Sequence, residues 1–118
     1  MMKHVWIVLL CALGVLPANA SNFTYSCHSM QQHICVVYSY SNGSEYNASR
    51  NKCQAGGNLI VEGNSCPKGR GAYVCAHQTA SAISYTYSYP IAVDPQSEEE
   101  KFRANCVGGG GHYLGSGH

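Results

Sequence analysis

The sequence predicts a small α+β domain stapled by disulfides, with a short antiparallel or mixed sheet and two short helices. Three observations support this class: an even set of cysteines, few large aliphatic residues, and strand and helix patterns that occur twice along the chain. A chain of 118 residues has the length of one domain.

The N-terminus has the pattern of a cleaved export signal covering residues 1–20. Lys3 is followed by an apolar run over residues 5–13 and then by Pro17-Ala18-Asn19-Ala20, a small-x-small cleavage site. The apolar run is shorter than the roughly 20 residues that cross a bilayer. We therefore expect a single secreted or periplasmic domain over residues 21–118, with no membrane association after the signal is removed.

Positive and negative charges balance in the predicted mature domain. The whole chain has seven Lys and Arg and six Asp and Glu, and Lys3 lies in the export signal. Proteins bind nucleic acids through clustered Lys and Arg that neutralise phosphates. We therefore expect no nucleic-acid partner.

The cysteines of the mature domain predict three disulfides, because exported proteins oxidise their thiols. A domain with so few large aliphatic side chains is marginal on its own, and each bridge contributes roughly 2–4 kcal/mol. We expect Cys53 to bridge Cys66 across the Gly56-Gly57 turn and leave the other pairings open. The predicted disulfide cysteines are Cys27, Cys35, Cys53, Cys66, Cys75 and Cys106.

The first half of the domain predicts a strand, a helix and a strand. Residues 35–40 are β-branched and aromatic and end at a turn signal. Ser44 can cap a helix that continues to about Gln54, with Gly56 free to take the left-handed conformation after it. Residues 59–61 then form a short apolar strand.

The second half carries the same kinds of signal. A loop rich in turn formers over residues 63–71 leads into a strand that starts at residues 72–75. Residues 83–89 alternate with a period of two, with their tyrosines on one face. Asp94 caps a second helix with Pro95 at its first position, and a glycine run ends that helix.

The motif Arg-x-x-Cys-x-x-Gly-Gly occurs at residues 50–57 and again at residues 103–110. Each copy follows a Tyr-Ser-Tyr strand and precedes a short apolar pair. We therefore predict a duplicated strand–helix–strand unit, with repeats over about 35–66 and 72–115, in which each motif cysteine ties a helix C-terminus to the sheet. The second copy has no equivalent of Cys66, so Cys106 must find its partner elsewhere.

Four short cysteine motifs follow one another: Cys35-x-x-Tyr38, Cys53-x-x-Gly56-Gly57, Cys66-Pro67 and Cys106-x-x-Gly109-Gly110. Together, over about residues 35–115, they resemble a short cysteine-rich module of bacterial secreted proteins and lipoproteins. The resemblance implies an extracytoplasmic disulfide domain and supplies no catalytic residue. Leu10 precedes Cys11, where a lipoprotein signal has a small residue, so the pattern does not predict lipid anchoring.

Two cysteines and two histidines have metal-ligand spacing, in Cys27-His28 and His33-x-Cys35. In an oxidising compartment thiols pair with each other. We therefore expect a structural bridge from each cysteine, solvent-facing histidines, and no metal or other cofactor.

Patterns typical of catalytic sites are missing from the sequence, which predicts a protein that is not an enzyme. It contains no Cys-x-x-Cys pair and no Gly-x-Ser-x-Gly nucleophile motif. Glu98-Glu99-Glu100 occupy a first helical turn, so they should point in different directions rather than into one cleft. The run Gly108–Gly111 lacks the Lys-Ser/Thr of a phosphate loop.

The tyrosines of the two Tyr-rich strands form the candidate binding surface. If these strands are neighbours, cross-strand ring pairs would stabilise the sheet. Alternatively, the rings form an exposed aromatic platform for a protein or glycan partner. The residues are Tyr38, Tyr40, Tyr85, Tyr87 and Tyr89.

The favoured function is a non-enzymatic exported binding or structural module. The alternative is a secreted interaction factor, such as a toxin or protease inhibitor, with Lys68 and Arg70 presented by the loop after Cys66. Three segments also fit the pattern of glycan acceptors, and they begin at Asn22, Asn42 and Asn47.

Overall fold

The structure, a computed structural model, describes residues 23–29, 31, 33–68, 71–91 and 94–116. The predicted export signal lies outside these residues. No helix in the described ranges is both long enough and apolar enough to cross a membrane. The elements are β1 Thr24–Ser29, β2 Ile34–Tyr40, α1 Gly43–Ala55, β3 Leu59–Glu62, β4 Tyr73–Gln78, β5 Ala82–Ser88, α2 Pro95–Gly108 and β6 His112–Ser116.

The strands form one antiparallel sheet in the order β3-β1-β2-β5-β4-β6. Two helices and an antiparallel sheet confirm the α+β class that the sequence predicts. The hairpin β1-β2 packs beside the hairpin β5-β4 at the centre, and the strand that follows each helix lies at an outer edge.

Both helices lie on the same side of the sheet. Cys27 pairs with Val36, which pairs in turn with Thr86. Thr86 pairs with Cys75, so the four residues form one row across β1, β2, β5 and β4. Residues in such a row face the same side of a sheet. Because Cys27 is bonded to α1 and Cys75 to α2, this side is the helical face, and the other is the opposite face.

The two halves have the same topology, a β-hairpin followed by a helix and a strand. In each half the last strand returns beside the first, so β3 pairs with β1 and β6 pairs with β4. The sequence predicts a strand–helix–strand repeat, and in the structure each unit has a further strand in front: β4, which the sequence predicts at residues 72–75, and β1, which it does not predict. The units therefore span residues 24–62 and 73–116, and the first begins earlier than the predicted boundary at residue 35.

The six predicted disulfide cysteines form three bridges: Cys27–Cys53, Cys35–Cys66 and Cys75–Cys106. The predicted bridge between Cys53 and Cys66 is wrong because the sheet separates the two residues. Cys53 lies over the helical face, whereas Cys66 follows β3 onto the opposite face, where Cys35 lies. The first and third bridges are equivalent, since each ties the last turn of a helix to the first strand of its own unit.

The helix ends follow local chemistry, with two corrections to the sequence-based expectation. Asn42 caps α1 in place of the predicted Ser44, and its side chain accepts the backbone N–H of Glu45 at 2.8 Å. After α1 the left-handed conformation is taken by Gly57 (φ 80°) rather than by Gly56. At α2 the prediction is confirmed, with Asp94 as N-cap and proline at the first turn.

The interior is thin and rich in cysteine. Among the described residues, five of the eleven buried hydrophobic side chains are disulfide cysteines. Most of the scarce large aliphatic residues lie outside this interior, and the exposed ones are Leu59, Ile83, Ile91 and Leu114. Cross-links therefore supply cohesion that an aliphatic core supplies in other domains of this length.

Residues 63–68, the segment after β3, cover part of the opposite face. This segment lies over a buried cluster made by Cys35, Val37, Cys66, Ala72, Val74 and Tyr87. Ser26, fully buried, donates its hydroxyl to the carbonyl of Gly63 at 2.6 Å and accepts the backbone N–H of Ser65 at 2.8 Å. The Tyr89 hydroxyl donates to the carbonyl of Pro67 at 2.7 Å.

Candidate ligand groove between helix and sheet

The two tyrosine-bearing strands are neighbours, yet their tyrosines lie on different faces. Tyr38 pairs with Ser84, so the even-numbered residues of β2 lie beside the even-numbered residues of β5. Tyr38 and Tyr40 therefore lie on the helical face, and Tyr85 and Tyr87 lie on the opposite face. The described register of these strands contains no pair of facing tyrosines.

The tyrosines of the opposite face mainly pack the interior. Tyr87 is buried in the cysteine-rich cluster, with its ring 6.5 Å from that of Tyr89. Tyr89 in turn holds the segment over the sheet through its hydrogen bond to Pro67. Tyr85 is 38 % exposed and is the most exposed of the three.

On the helical face, Tyr38 and Tyr40 continue a row of rings that begins at Tyr25. The centroids of Tyr25 and Tyr38 are 5.2 Å apart with planes inclined by 24°, and those of Tyr38 and Tyr40 are 6.1 Å apart with planes inclined by 18°. Tyr25 is fully buried, whereas Tyr38 and Tyr40 are partly exposed. The row therefore runs from the interior towards solvent.

Helix α1 forms the wall beside this row. Glu45, Ser49 and Lys52 line a groove together with these tyrosines. The groove has a volume of about 550 Å³. The spacing of four and three residues between Glu45, Ser49 and Lys52 places them along one side of a helix. Clefts that bind small ligands usually have volumes of roughly 300–1,000 Å³, so the groove has an appropriate size.

Tyr25 forms the buried floor of the groove, and its hydroxyl shares a hydrogen bond with the hydroxyl of Ser49. The Cys27–Cys53 disulfide fixes the same strand to the same helix near the C-terminal end of the groove. Both connections fix the spacing between wall and floor.

Among the described residues the groove lies in the first half of the molecule, and two positions beside it differ between the halves. Tyr25 pairs with Tyr38 in the first hairpin, whereas the equivalent Tyr73 pairs with Ser88 in the second. Ser49 precedes the repeated arginine in α1, whereas Phe102 precedes it in α2. Phe102 packs on Tyr73 with ring centroids 6.1 Å apart, filling the side of the helix that stays open in the first unit.

Burial raises the pKa of two phenols in the groove, those of Tyr25 and Tyr38. Burial raises the pKa of Tyr25 to about 12, against a smaller lowering by its hydrogen bond to Ser49. Burial, followed by the nearby Tyr40, also raises the pKa of Tyr38. At neutral pH both groups can donate a hydrogen bond.

Comparison with protein-family profiles, with curated proteins and with solved structures finds no significant match for this chain. The geometry of the site therefore carries the functional argument.

The cysteines with metal-ligand spacing are engaged in two different disulfides, one on each face of the sheet. His28 is not simply solvent-facing, since its Nε2 lies 2.8 Å from the hydroxyl of Ser65 and its Nδ1 lies 3.5 Å from the sulfur of Cys35. His33 is exposed and has a positive φ of 56°. Both histidines line a smaller cavity of about 330 Å³ beside Pro67.

Of the three consecutive acids, Glu99 and Glu100 differ in their surroundings. The Glu99 carboxylate turns towards the sheet and accepts the hydroxyl of Tyr113 at 2.5 Å, while Glu100 is exposed. Burial and then this carboxylate raise the pKa of Tyr113 to about 12. In α1 the roles are reversed, because Tyr46 on the helix donates to Glu62 on β3.

The remaining candidates are surface features. Lys68 is exposed, and Arg70 lies outside the described residues. Of the three glycan acceptor patterns, Asn42 is the helix cap and Asn47 is exposed on α1, while Asn22 lies outside the described residues.

Sequence reasoning identified Tyr38 and Tyr40 but missed the rest of the groove. One usable signal was present, since Tyr-x-Cys occurs at residues 25–27 and again at residues 73–75. This repeat indicates that β1 and β4 are equivalent strands and that Cys27 and Cys75 occupy equivalent positions in them. Ser49 gives no local signal, because its importance comes from being small where the other helix has a phenylalanine.

Proposed function

We propose that this protein is an exported, non-enzymatic binding module, secreted or periplasmic, whose ligand occupies the groove between α1 and β2. The observation that carries the proposal is the difference between the two halves. Among the described residues the scaffold positions are shared, whereas the open groove and its partly exposed tyrosines lie in the first half.

The two units share the residues that the fold requires and differ at residues that are free to bind a ligand. Both units have a buried tyrosine and a disulfide-bonded cysteine on the first strand, at Tyr25 and Cys27 or at Tyr73 and Cys75. The second unit forms the same hairpin, helix and strand with Ser88 in the position of Tyr38. The architecture therefore does not require a large ring there, which favours a role in binding.

The scaffold around the groove supports binding with little reorganisation. A disulfide and a hydroxyl–hydroxyl contact fix α1 to β1, and α1 is also tied to β3 by the ion pair of Arg50 and Glu62, 2.8 Å apart. A site whose walls are fixed in advance loses less conformational entropy when a ligand binds.

The groove can be tested by nuclear magnetic resonance with isotopically labelled mature protein and a mixed library of soluble saccharides, short peptides and small aromatic acids. At least one class should shift backbone signals of residues 38–40 and 45–53. Ser49→Phe, which installs the residue of the other unit, should abolish these shifts. Tyr85→Ser, which removes an exposed ring from the opposite face, should preserve them.

Two outcomes would contradict the proposal: no compound perturbs the groove, or the perturbations persist unchanged in Ser49→Phe. A second variant, Tyr40→Ser, keeps the test decisive if the phenylalanine disturbs folding. Retention of the wild-type far-ultraviolet circular dichroism spectrum identifies the variants that can be interpreted.

A second candidate function is that of a secreted interaction factor, such as a toxin or protease inhibitor, and the attachment of the segment before Lys68 favours it. The Cys35–Cys66 disulfide and the hydrogen bond from Tyr89 to Pro67 hold the chain immediately before this exposed lysine. Incubation with trypsin tests the inhibitor version. Rapid cleavage after Lys68 without inhibition would reject it, whereas tight inhibition that Lys68→Ala removes would support it.

The three disulfides indicate a non-cytoplasmic protein, since thiols are kept reduced in the cytosol of most organisms. Export through the predicted signal at residues 1–20 is part of the proposal. The resemblance to a cysteine-rich module of bacterial secreted proteins and lipoproteins supports the same location.

A further inference from the structure

We infer that the groove takes a neutral oligosaccharide, whose rings lie against Tyr38 and Tyr40 while its hydroxyls contact the polar side chains of α1. This inference rests on the proposed function and adds the chemical class of the ligand. It commits to a sugar chain, and binding of a peptide in the same groove would be a contrary result.

The groove combines apolar and polar groups at close quarters. A sugar ring has apolar C–H faces and a rim of hydroxyls, and an aromatic residue with a polar tip can contact both. Tyr38 and Tyr40 offer two near-parallel rings 6.1 Å apart. The hydroxyl of Ser49 and the amide of Asn58 line the same groove.

Along the α1 wall of the groove, one negative side chain is balanced by one positive side chain. Glu45 lies near one end of the lining and Lys52 near the other, two helical turns or about 10 Å apart. An anionic ligand would be attracted by one and repelled by the other, and the same holds for a cation. Compared with ligands that carry one sign of charge, an uncharged ligand long enough to contact both groups suits this arrangement better, with Glu45 accepting and Lys52 donating hydrogen bonds.

Glu45 is already held in an accepting geometry. Its Oε1 accepts the hydroxyl of Ser81 at 2.6 Å, which ties the first turn of α1 to the turn between β4 and β5. The backbone N–H of Ser41 also donates to the carbonyl of Ser81 at 2.9 Å. The acidic end of the groove therefore has a fixed position, as expected of a group that orients a hydroxyl.

The experiment uses isothermal titration of the mature protein with neutral hexasaccharides of glucose and of N-acetylglucosamine in different linkages. A cationic glucosamine hexamer and an anionic galacturonate hexamer serve as charged counterparts. We expect at least one neutral chain to bind with little dependence on salt. Tyr40→Ser should weaken that binding by about tenfold or more, and Tyr85→Ser should leave it unchanged.

Failure of the ligand class and failure of the proposed function give different results. If no neutral chain binds at about 10 mM, or if the charged chains bind more tightly in a salt-dependent manner, the oligosaccharide assignment is wrong. The binding module still stands if a peptide or aromatic acid perturbs the groove and Ser49→Phe abolishes the effect. If no compound of any class binds there, both proposals fall.

Discussion

Ser49 in α1 and Phe102 in α2 occupy the same position of their helices, one residue before the repeated arginine, and they contact the sheet differently. Phe102 fills the space between its helix and Tyr73, with ring centroids 6.1 Å apart. Ser49 reaches Tyr25 through its hydroxyl alone. The same scaffold therefore produces a closed helix–sheet interface in one half and an open one in the other.

The stability of the fold should fall in the alkaline range because of Tyr25. Burial raises the pKa of its phenol in the folded state from 10.0 to about 12. Above pH 10 the unfolded chain loses this proton while the folded chain keeps it, so unfolding is favoured as pH rises. The contribution is present below pH 10 and is lost between pH 10 and 12, with a cost of about 1 kcal/mol at pH 11.

Urea unfolding at pH 9 and pH 11, with short exposure at the higher pH, measures this effect. Tyr25→Phe removes the titrating hydroxyl and should flatten the dependence. Tyr113 shares the direction of shift, so part of the dependence should remain. An equally steep dependence in Tyr25→Phe would contradict the assignment.

Gly111, between α2 and β6, should not tolerate a side chain. A Cβ at this position would lie 2.7 Å from the sulfur of Cys75 and 2.7 Å from Nε2 of His77. The histidine ring can move, but the sulfur is fixed by its bond to Cys106. We expect Gly111→Ala to lower the free energy of unfolding by about 1–3 kcal/mol, the usual cost of overpacking.

The matched control is Gly108→Ala, where a Cβ would meet no atom within 4 Å. Gly108 ends α2, and alanine favours helix over glycine, so this variant should be neutral or slightly more stable. Thermal unfolding of the two variants side by side checks the prediction. Equal stability of Gly111→Ala and wild type would show that the close approach is not real.

The N-cap of α1 provides a third prediction. Asn42 accepts the N–H of Glu45 through its side chain, whereas Ser44 lies inside the helix. Asn42→Ala should cost about 1 kcal/mol, and Ser44→Ala should change the stability little. The reverse order would move the start of the helix to the position expected from the sequence.

Each of the two equivalent disulfides should stabilise the helix of its own unit. One double variant changes both Cys27 and Cys53 to alanine, and the other changes both Cys75 and Cys106 to alanine. Each removes one bridge, and the two bridges close loops of similar size, with sequence separations of 26 and 31. Each loss should cost about 2–4 kcal/mol. Hydrogen exchange should accelerate in α1 only for the first pair and in α2 only for the second. Acceleration of both helices by either pair would contradict the independence of the units.

The elements predicted correctly are those in which local signals agree. Around α2, Asp94, Pro95 and the glycine run all indicate the same boundaries, and the structure follows them. Strand β1 was missed because, although polar and apolar residues alternate from Thr24 to His28, its only apolar side chains are Tyr25 and Cys27. A buried serine satisfied by two hydrogen bonds looks like a loop residue in the sequence.

The candidate site could be only half predicted for a different reason. Which face Tyr38 shares with its neighbours depends on the parity of the β2–β5 register, and a shift of one residue would place it beside Tyr85 on one face. The disulfide partners depend in the same way on the β1–β2 register, which pairs Cys27 with Val36 and so leaves Cys35 on the other face. No local sequence pattern determines the face of Tyr38 or the disulfide partners.

The central claim is that two hairpin–helix–strand units, each closed by its own disulfide, build the scaffold. Disulfide mapping of non-reduced mature protein tests it most directly. Trypsin should leave residues 71–101 linked to residues 104–118, and residues 53–68 linked to the fragment that ends at Arg50. Further cleavage at Met30 and Glu62 should resolve Cys27–Cys53 and Cys35–Cys66. Release of residues 53–68 as a separate peptide with an internal bridge, or free thiols in freshly isolated protein, would contradict the claim.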